Sequence, residues 1–360
     1  MTDSNSRFDP GGPAAHGYRM PAEWEPHQAT WLSWPHNRNS WPDRFEPVEP
    51  AYIEIVRALA AGETVHINVR DGDHEKHVAR LLEKSGVSGD IRLHRFPTND
   101  AWCRDHGAIF VVRDRADAPL LALDCDYNAW GGKYPPFDLD NLIPGRMAAY
   151  LDIPSYRAGM VLEGGSIDVN GAGTVLTTEQ CLLNPNRNPG MNRARIEQRL
   201  RELLGVTQVL WLGDGIVGDD TDGHVDDLTR FVHRDTVVTV MEDNFGDENH
   251  APLRDNRRRL EQMRLPDGTP LRIVDLPMPG PHHIKGQRLP ASYANFYIAN
   301  HAVLLPVFND PMDAEAARIL TPLFPGRRII LLDCSDMVYG LGTIHCLSQQ
   351  VPKIPAGSLD

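Results

Sequence analysis

Apolar positions along this chain fall into two kinds of segment. Short β-branched runs have the length and content of buried strands: TVHINV (64–69), AIFVV (108–112), LLALD (120–124), VLWLG (209–213), TVVTV (236–240), AVLLPVF (302–308) and RIILLD (328–333). Between them, AYIEIVRALAAG (51–62), HEKHVARLLEKSG (74–86), NRARIEQRLRELLG (192–205) and DAEAARILTPLF (313–324) repeat apolar residues at three- and four-residue steps, the period of an amphipathic helix. Gly62, Gly86 and Gly205 stand where helices commonly end in a left-handed residue. Strands outnumber these helices, so repeated ββαβ-type units fit better than a strictly wound βαβαβ sheet. No composition break or long linker divides the chain. The expectation is one α/β domain from residue 20 to 360, after a flexible Gly/Pro-rich lead-in over residues 1–19.

Composition narrows the function. With 360 residues, 41% of them hydrophobic, the chain can bury a substantial core. A formal net charge of −13 disfavours nucleic acid and anionic membranes as partners, and favours a small cation. The polar N-terminus lacks the pattern of a signal peptide, and no apolar run approaches the ~18 residues of a membrane span. Cys103, Cys125, Cys181, Cys334 and Cys346 are odd in number, widely spaced and without a CxxC pair, which predicts reduced thiols and a cytoplasmic location. There is no Walker loop and no zinc-type His/Cys spacing, and neither cofactor nor metal is expected.

The chemistry lies in four polar clusters. TNDAWCRDHGAIFVV (98–112) offers Trp102 and Asp105, an aromatic face and a carboxylate suited to a flat cation. An Arg104–Asp105 pair on the surface of a turn is the competing account. LEGGSIDVNGAGTVLTT (162–178) puts Glu163 at a strand end before two glycines. GDDTDGHVDDLTRFV (218–232) spaces His224 and Asp226 two apart, on one face if the backbone is extended. GTIHCLSQQ (342–350) carries Cys346, with His345 pointing the other way on extended backbone and so serving as a packing residue. A thiol, a histidine and several carboxylates, each beside a glycine break, suit chemistry on a guanidinium. That group is planar and permanently cationic, and carboxylates can hold its N–H edges in bidentate pairs.

These segments also carry a resemblance. MPAEWEPHQATWLSWP (20–35), NDAWCRDHG (99–107), NAWGGKYPPFD (128–138), LEGGSIDVNGAGTVLTTEQCLLNPNRNP (162–189), DDTDGHVDD (219–227), ASYANFYIAN (291–300) and GTIHCLSQQ (342–350) resemble the agmatine deiminases and the wider bacterial-type peptidylarginine deiminase group. The resemblance implies a pentein fold, an α/β-propeller of five ββαβ-like units with pseudo-fivefold symmetry around a central site. It implies hydrolysis of agmatine to N-carbamoylputrescine and ammonia without a cofactor, and self-association. By position it makes Cys346 the nucleophile, His224 the general acid/base, Asp105 and Asp226 the guanidinium clamp, and Glu163 the partner of the histidine. Trp102 and Asn295 stand at substrate-side positions. Three residues depart from the family pattern: Leu341 and Thr343 replace a glycine and an asparagine, and Asp168 replaces a histidine. They leave the far end of the substrate open between agmatine, free arginine and peptidyl arginine.

Two other classes compete: a metal-dependent hydrolase built on Asp219, Asp220, His224 and Asp226, and a non-catalytic binding module. Residues 20–45 and 242–255 are the candidates for a loop closing over the site.

Overall fold

The computed structural model describes residues 11–354. All seven expected strands and all four expected helices form, with ends moved by a few residues. Gly86 and Gly205 adopt the left-handed conformation that ends a helix, with φ of +63° and +66°. Gly62 does not. Its place is set by His301, whose Nδ1 would lie 1.9 Å from a Cβ added there.

Among the described residues, five mixed sheets repeat one strand order. In each, an antiparallel pair is followed by a helix and then by a strand parallel to the second. The clearest instance joins Ile109–Val112 to Leu120–Asp126, then Ile143–Leu151, then Ser155–Val161. The next three units place Arg193–Leu204, His250–Gln262 and Asp313–Leu320 in the helical position. The remaining unit takes its first strand from the far end of the chain: Ser348–Pro352 lies antiparallel to His27–Ser33, which is parallel to Thr64–Asn68, and this sheet adds a fourth strand, Ile91–His94, parallel to Thr64–Asn68. A two-residue hairpin pairs His283–Ile284 with Gln287–Arg288 outside this scheme.

The lead-in differs from expectation. Residues 1–10 lie outside the described residues, and residues 11–19 are packed. Gly12–Ala15 forms a helical turn, Tyr18 is buried in a cluster with Leu200 and Leu204, and Arg19 pairs across to Val112. The cause is apolar: Tyr18 and Met20 fill the space between the helix Arg193–Leu204 and the strand Ile109–Val112.

The repeat positions the chemistry. Each unit enters its first strand through a short turn: Cys103–His106, Gly164–Ser166, Val225–Asp227 and Ile344–Leu347 are four of these, and Asn295 lies just before the fifth, at Tyr297–Ile298. Asp105, Glu163, His224, Asp226, Asn295 and Cys346 all sit in or beside these turns.

Candidate active site

The six turn residues are buried together. His224, Asp226 and Glu163 are 0% exposed, Asn295 1%, and Asp105 and Cys346 5% each. The Asp226 carboxylate lies between thiol and imidazole: its Oδ2 is 3.8 Å from Sγ of Cys346, and its Oδ1 is 4.0 Å from Nδ1 of His224. That imidazole nitrogen is also 3.9 Å from Oδ1 of Asp105. Asn295 donates from Nδ2 to Sγ of Cys346 at 3.1 Å, and Thr343 fixes Asn295 by donating to its Oδ1 at 2.8 Å.

The local backbone explains the convergence. His224 and Asp226 are not on an extended strand; His224 precedes a 3₁₀ turn over Val225–Asp227, so the two side chains meet through a tight turn. Asp219 shapes that turn by accepting the backbone N–H groups of His224 and Thr221 at 3.0 and 2.8 Å. Asp105 is no surface partner of Arg104. Its oxygens accept the N–H of Gly165 and Nε1–H of Trp130, both at 2.9 Å. Gly165 allows this approach, because a Cβ there would lie 2.6 Å from Nδ1 of His224 and 3.0 Å from oxygens of Asp105 and Asp226. Gly165→Ala is therefore expected to reduce kcat/KM about a hundredfold or more by forcing the three groups apart, with little loss of helix signal in circular dichroism. Near-normal steady-state kinetics would refute this reading of Gly165.

The protonation states follow from crowding. Burial pushes the Cys346 thiol well above its usual range, and Asp226, Asp227 and Asp105 push it further. Burial alone would favour a neutral His224, but Asp105, the neighbouring Cys181 and Asp226 outweigh it and hold the imidazolium well above its usual range. Burial raises the Asp105 carboxyl, whereas the charges and hydrogen bond from the histidine side keep Asp226 below its ordinary value. Both nitrogens of His224, Oδ1 of Asp226 and Oε2 of Glu163 have no hydrogen-bond partner within the protein. Such buried atoms are costly unless a ligand satisfies them.

A cavity of about 820 Å³ opens over Cys346 and Asp105, walled by Trp102, Trp130 and Leu341. Its rim comes from residues 36–42, 134–136, 284–289 and 339–341. Of the two loops expected to close the site, the first supplies part of this rim and residues 242–255 supply none. Asp168 is away from the cavity, paired through Oδ2 with Nε of Arg230 at 2.5 Å. Its departure from the family pattern is a change in a buried ion pair, not in the substrate pocket.

The proposed metal set does not assemble. Asp219 is used by the turn, and Asp220 pairs with Lys133 at the rim. Among the described residues, the donor sets within 4.8 Å are Glu163–Cys181–His224 and Asp226–Asp227–Cys346, both inside the site itself.

Several residues of the site were missed by sequence reasoning. Arg187 donates from Nε to Oε1 of Glu163 at 2.6 Å, Trp130 holds Asp105, and Cys181 lies against His224. His345, expected to be packing, has its Nδ1 2.7 Å from Oδ2 of Asp226, because Ile344–Leu347 is a helical turn and adjacent residues there do not alternate faces. All four lie in the quoted motifs, so the motifs held the signal although no single residue pattern assigned the role.

A fold of this strand order, with a thiol, an imidazole and several carboxylates brought together from its strand-entry turns, defines the class of guanidine-directed deiminases. Residues 19–352 match the model of the Porphyromonas-type peptidyl-arginine deiminase family, and the chain belongs to that family. It is 38% identical to the agmatine deiminase of Ectopseudomonas mendocina over 96% of this chain and 98% of that one. Its fold is similar to the agmatine deiminase of Enterococcus faecalis, with a TM-score of 0.89, 33% identity, and coverage of 96% and 99%. It is also similar to a cysteine-to-serine variant of the C. jejuni agmatine deiminase with substrate bound, with a TM-score of 0.85, 31% identity, and coverage of 93% and 96%.

Proposed function

We propose that this protein is an agmatine deiminase. The observation that carries the proposal is the pair of Asp226 oxygens beside the Cys346 thiol, one of which, Oδ1, is buried without a protein partner. A guanidinium presents N–H groups in a rigid plane that matches them.

Asp105 and Asp226 bind the substrate cation, and Trp102 covers one face. The cation offsets the carboxylates that hold the thiol protonated, so binding favours the thiolate and the thiol proton passes to solvent. Sγ of Cys346 attacks the central carbon. His224, held as an imidazolium, gives its proton to one nitrogen of the tetrahedral adduct, and ammonia leaves, so that a covalent S-alkylthiouronium remains. A water molecule gives a proton to the now neutral His224 and adds to the same carbon. The thiolate departs, and the product is the urea N-carbamoylputrescine. Glu163 orients His224, and Asn295 orients the sulfur. No step requires a cofactor or metal.

The same reading extends to the assembly. A single catalytic domain arranges its five units around a pseudo-fivefold axis, as the repeated strand order suggests. The protein acts in the cytoplasm on a small cation, binds neither nucleic acid nor membrane, and self-associates. Its five cysteines are free and buried, and no helix among the described residues is long and apolar enough to cross a membrane.

The test is ammonia release from agmatine, free arginine and a C-terminal-arginine peptide. Agmatine is expected to lead by about tenfold or more in kcat/KM; faster turnover of either arginine form would replace the substrate while keeping the chemistry. Leu341 bears on the same pocket. It holds a left-handed backbone, φ +72°, that costs a bulky residue about 1–2 kcal/mol, and it places an apolar side chain on the cavity wall. Leu341→Gly should raise KM for agmatine a few-fold through lost methylene contact, with thermal stability changed by only about 1 kcal/mol. An unchanged KM would remove Leu341 from the pocket.

A further inference from the structure

His345 takes no part in the steps above, yet carboxylates face it on both sides. Its Nδ1 lies 2.7 Å from Oδ2 of Asp226 and its Nε2 lies 2.8 Å from Oε2 of Glu23. The ring is only 2% exposed, which leaves no room for solvent to mediate. A carboxylate accepts and does not donate, whereas a neutral imidazole has one N–H and one lone pair. A neutral ring would therefore aim its lone pair at a carboxylate oxygen in a buried site, unless one of the two acids carried the proton.

Glu23 has reasons of its own to stay ionised. Glu23 meets Nη2 of Arg230 at 3.0 Å and Nη2 of Arg104 at 3.3 Å, and accepts the N–H of Ile298 at 2.8 Å. Burial opposes it, but the Glu23 carboxyl is held well below the usual range, with the permanent charges of Arg230 and Arg104 beside it. Other groups facing the ring do not supply the missing hydrogen: the Tyr297 ring lies 6.5 Å away, and Arg104 directs Nε to the backbone oxygen of His345 at 3.3 Å.

We propose that His345 is a buried imidazolium that donates at both ring nitrogens, with Glu23 as its counter-ion, and that its role is to position Asp226 and hold it ionised for the substrate cation. Donation to Oδ2 stops the carboxylate from rotating and leaves Oδ1 as the free acceptor. The same cation, one residue from the nucleophile, partly offsets a cluster holding Asp105, Glu163, Asp226 and Asp227. Glu23 lies in the segment that enters the first unit, so that segment is tied directly to the nucleophile's turn. His345 is thus a positioning residue, and only the name of the substrate in its test rests on the proposed function.

Nitrogen-15 spectra of histidine-labelled wild-type protein test the charge directly, the His345 signals being identified by their loss in His345→Gln. Both ring nitrogens are expected to carry protons near neutral pH; a single protonated nitrogen overturns the proposal. In kinetics, His345→Gln should raise KM for agmatine about 10- to 100-fold, with a smaller change in kcat. It should also move the acid limb of kcat/KM to higher pH, because Asp226 without its cation binds a proton more readily. Glu23→Gln removes a negative charge from the same cluster and should move that limb the opposite way. A folded His345→Gln protein with an unshifted limb, or an upward shift in both variants, refutes the positioning role. Failure of the wild-type protein to turn over agmatine would instead refute the substrate and leave the spectra to decide the charge.

Discussion

Cys346→Ser is expected to release no measurable ammonia from agmatine while still binding it. Two properties of sulfur are lost together. A thiolate becomes accessible once the substrate cation offsets Asp226, Asp227 and Asp105, whereas a serine hydroxyl at the same place ionises far less readily. In the second half of the reaction the thiolate is also the leaving group, and an alkoxide leaves poorly. By comparison with other nucleophile–base sets, kcat should fall by about four orders of magnitude or more. Binding should survive, because the proposed clamp, Asp105 and Asp226, is untouched by the substitution. Ammonia release together with calorimetric titration of agmatine separates the two outcomes. Turnover above about one hundredth of wild type would exclude Cys346 as the nucleophile.

Asp105→Asn should weaken the binding of agmatine by about 3–5 kcal/mol, the range for removing one partner of a buried charge pair. The structure adds a second source of loss. Both oxygens of Asp105 already accept, from Gly165 and from Trp130, so an amide must turn its NH₂ toward one of those donors. A pH effect distinguishes the charge from the misfit. Asp105 is the strongest charge holding His224 as an imidazolium. Without it, His224 loses its proton at lower pH, and since the acid form is required, the basic limb of kcat/KM should move to lower pH. Normal affinity with an unmoved basic limb would show that Asp105 neither clamps the substrate nor supports His224.

The strands and helices named from the sequence form, because strands and helices obey different periods, but strands as long as His27–Ser33, Ser155–Val161 and Ser348–Pro352 were not picked out. The helix His250–Gln262 escaped, since polar and charged residues fill most of its positions and few apolar residues mark the buried face. Very short strands such as Asp168–Val169 and Tyr297–Ile298 escaped for a related reason: two residues show no alternation. Residues 11–19 looked like a loose leader because Gly and Pro dominate them, but two apolar side chains anchor the segment.

Of the site itself, the sequence alone established which residue types are present and, through motifs in family order, that one thiol, one histidine and several acids belong together. Side-chain direction was decided elsewhere. His224 and Asp226 meet through a 3₁₀ turn where extended geometry was expected, and His345 turns toward Asp226 because its segment is helical. Asp168, set apart only by its difference from relatives, proves to be the partner of Arg230. Tertiary structure alone could decide these points, because each depends on the distance between atoms carried by turns of different sheets. Local periodicity states which face a residue occupies, and says nothing of which residue from a hundred positions away will occupy the space beside it.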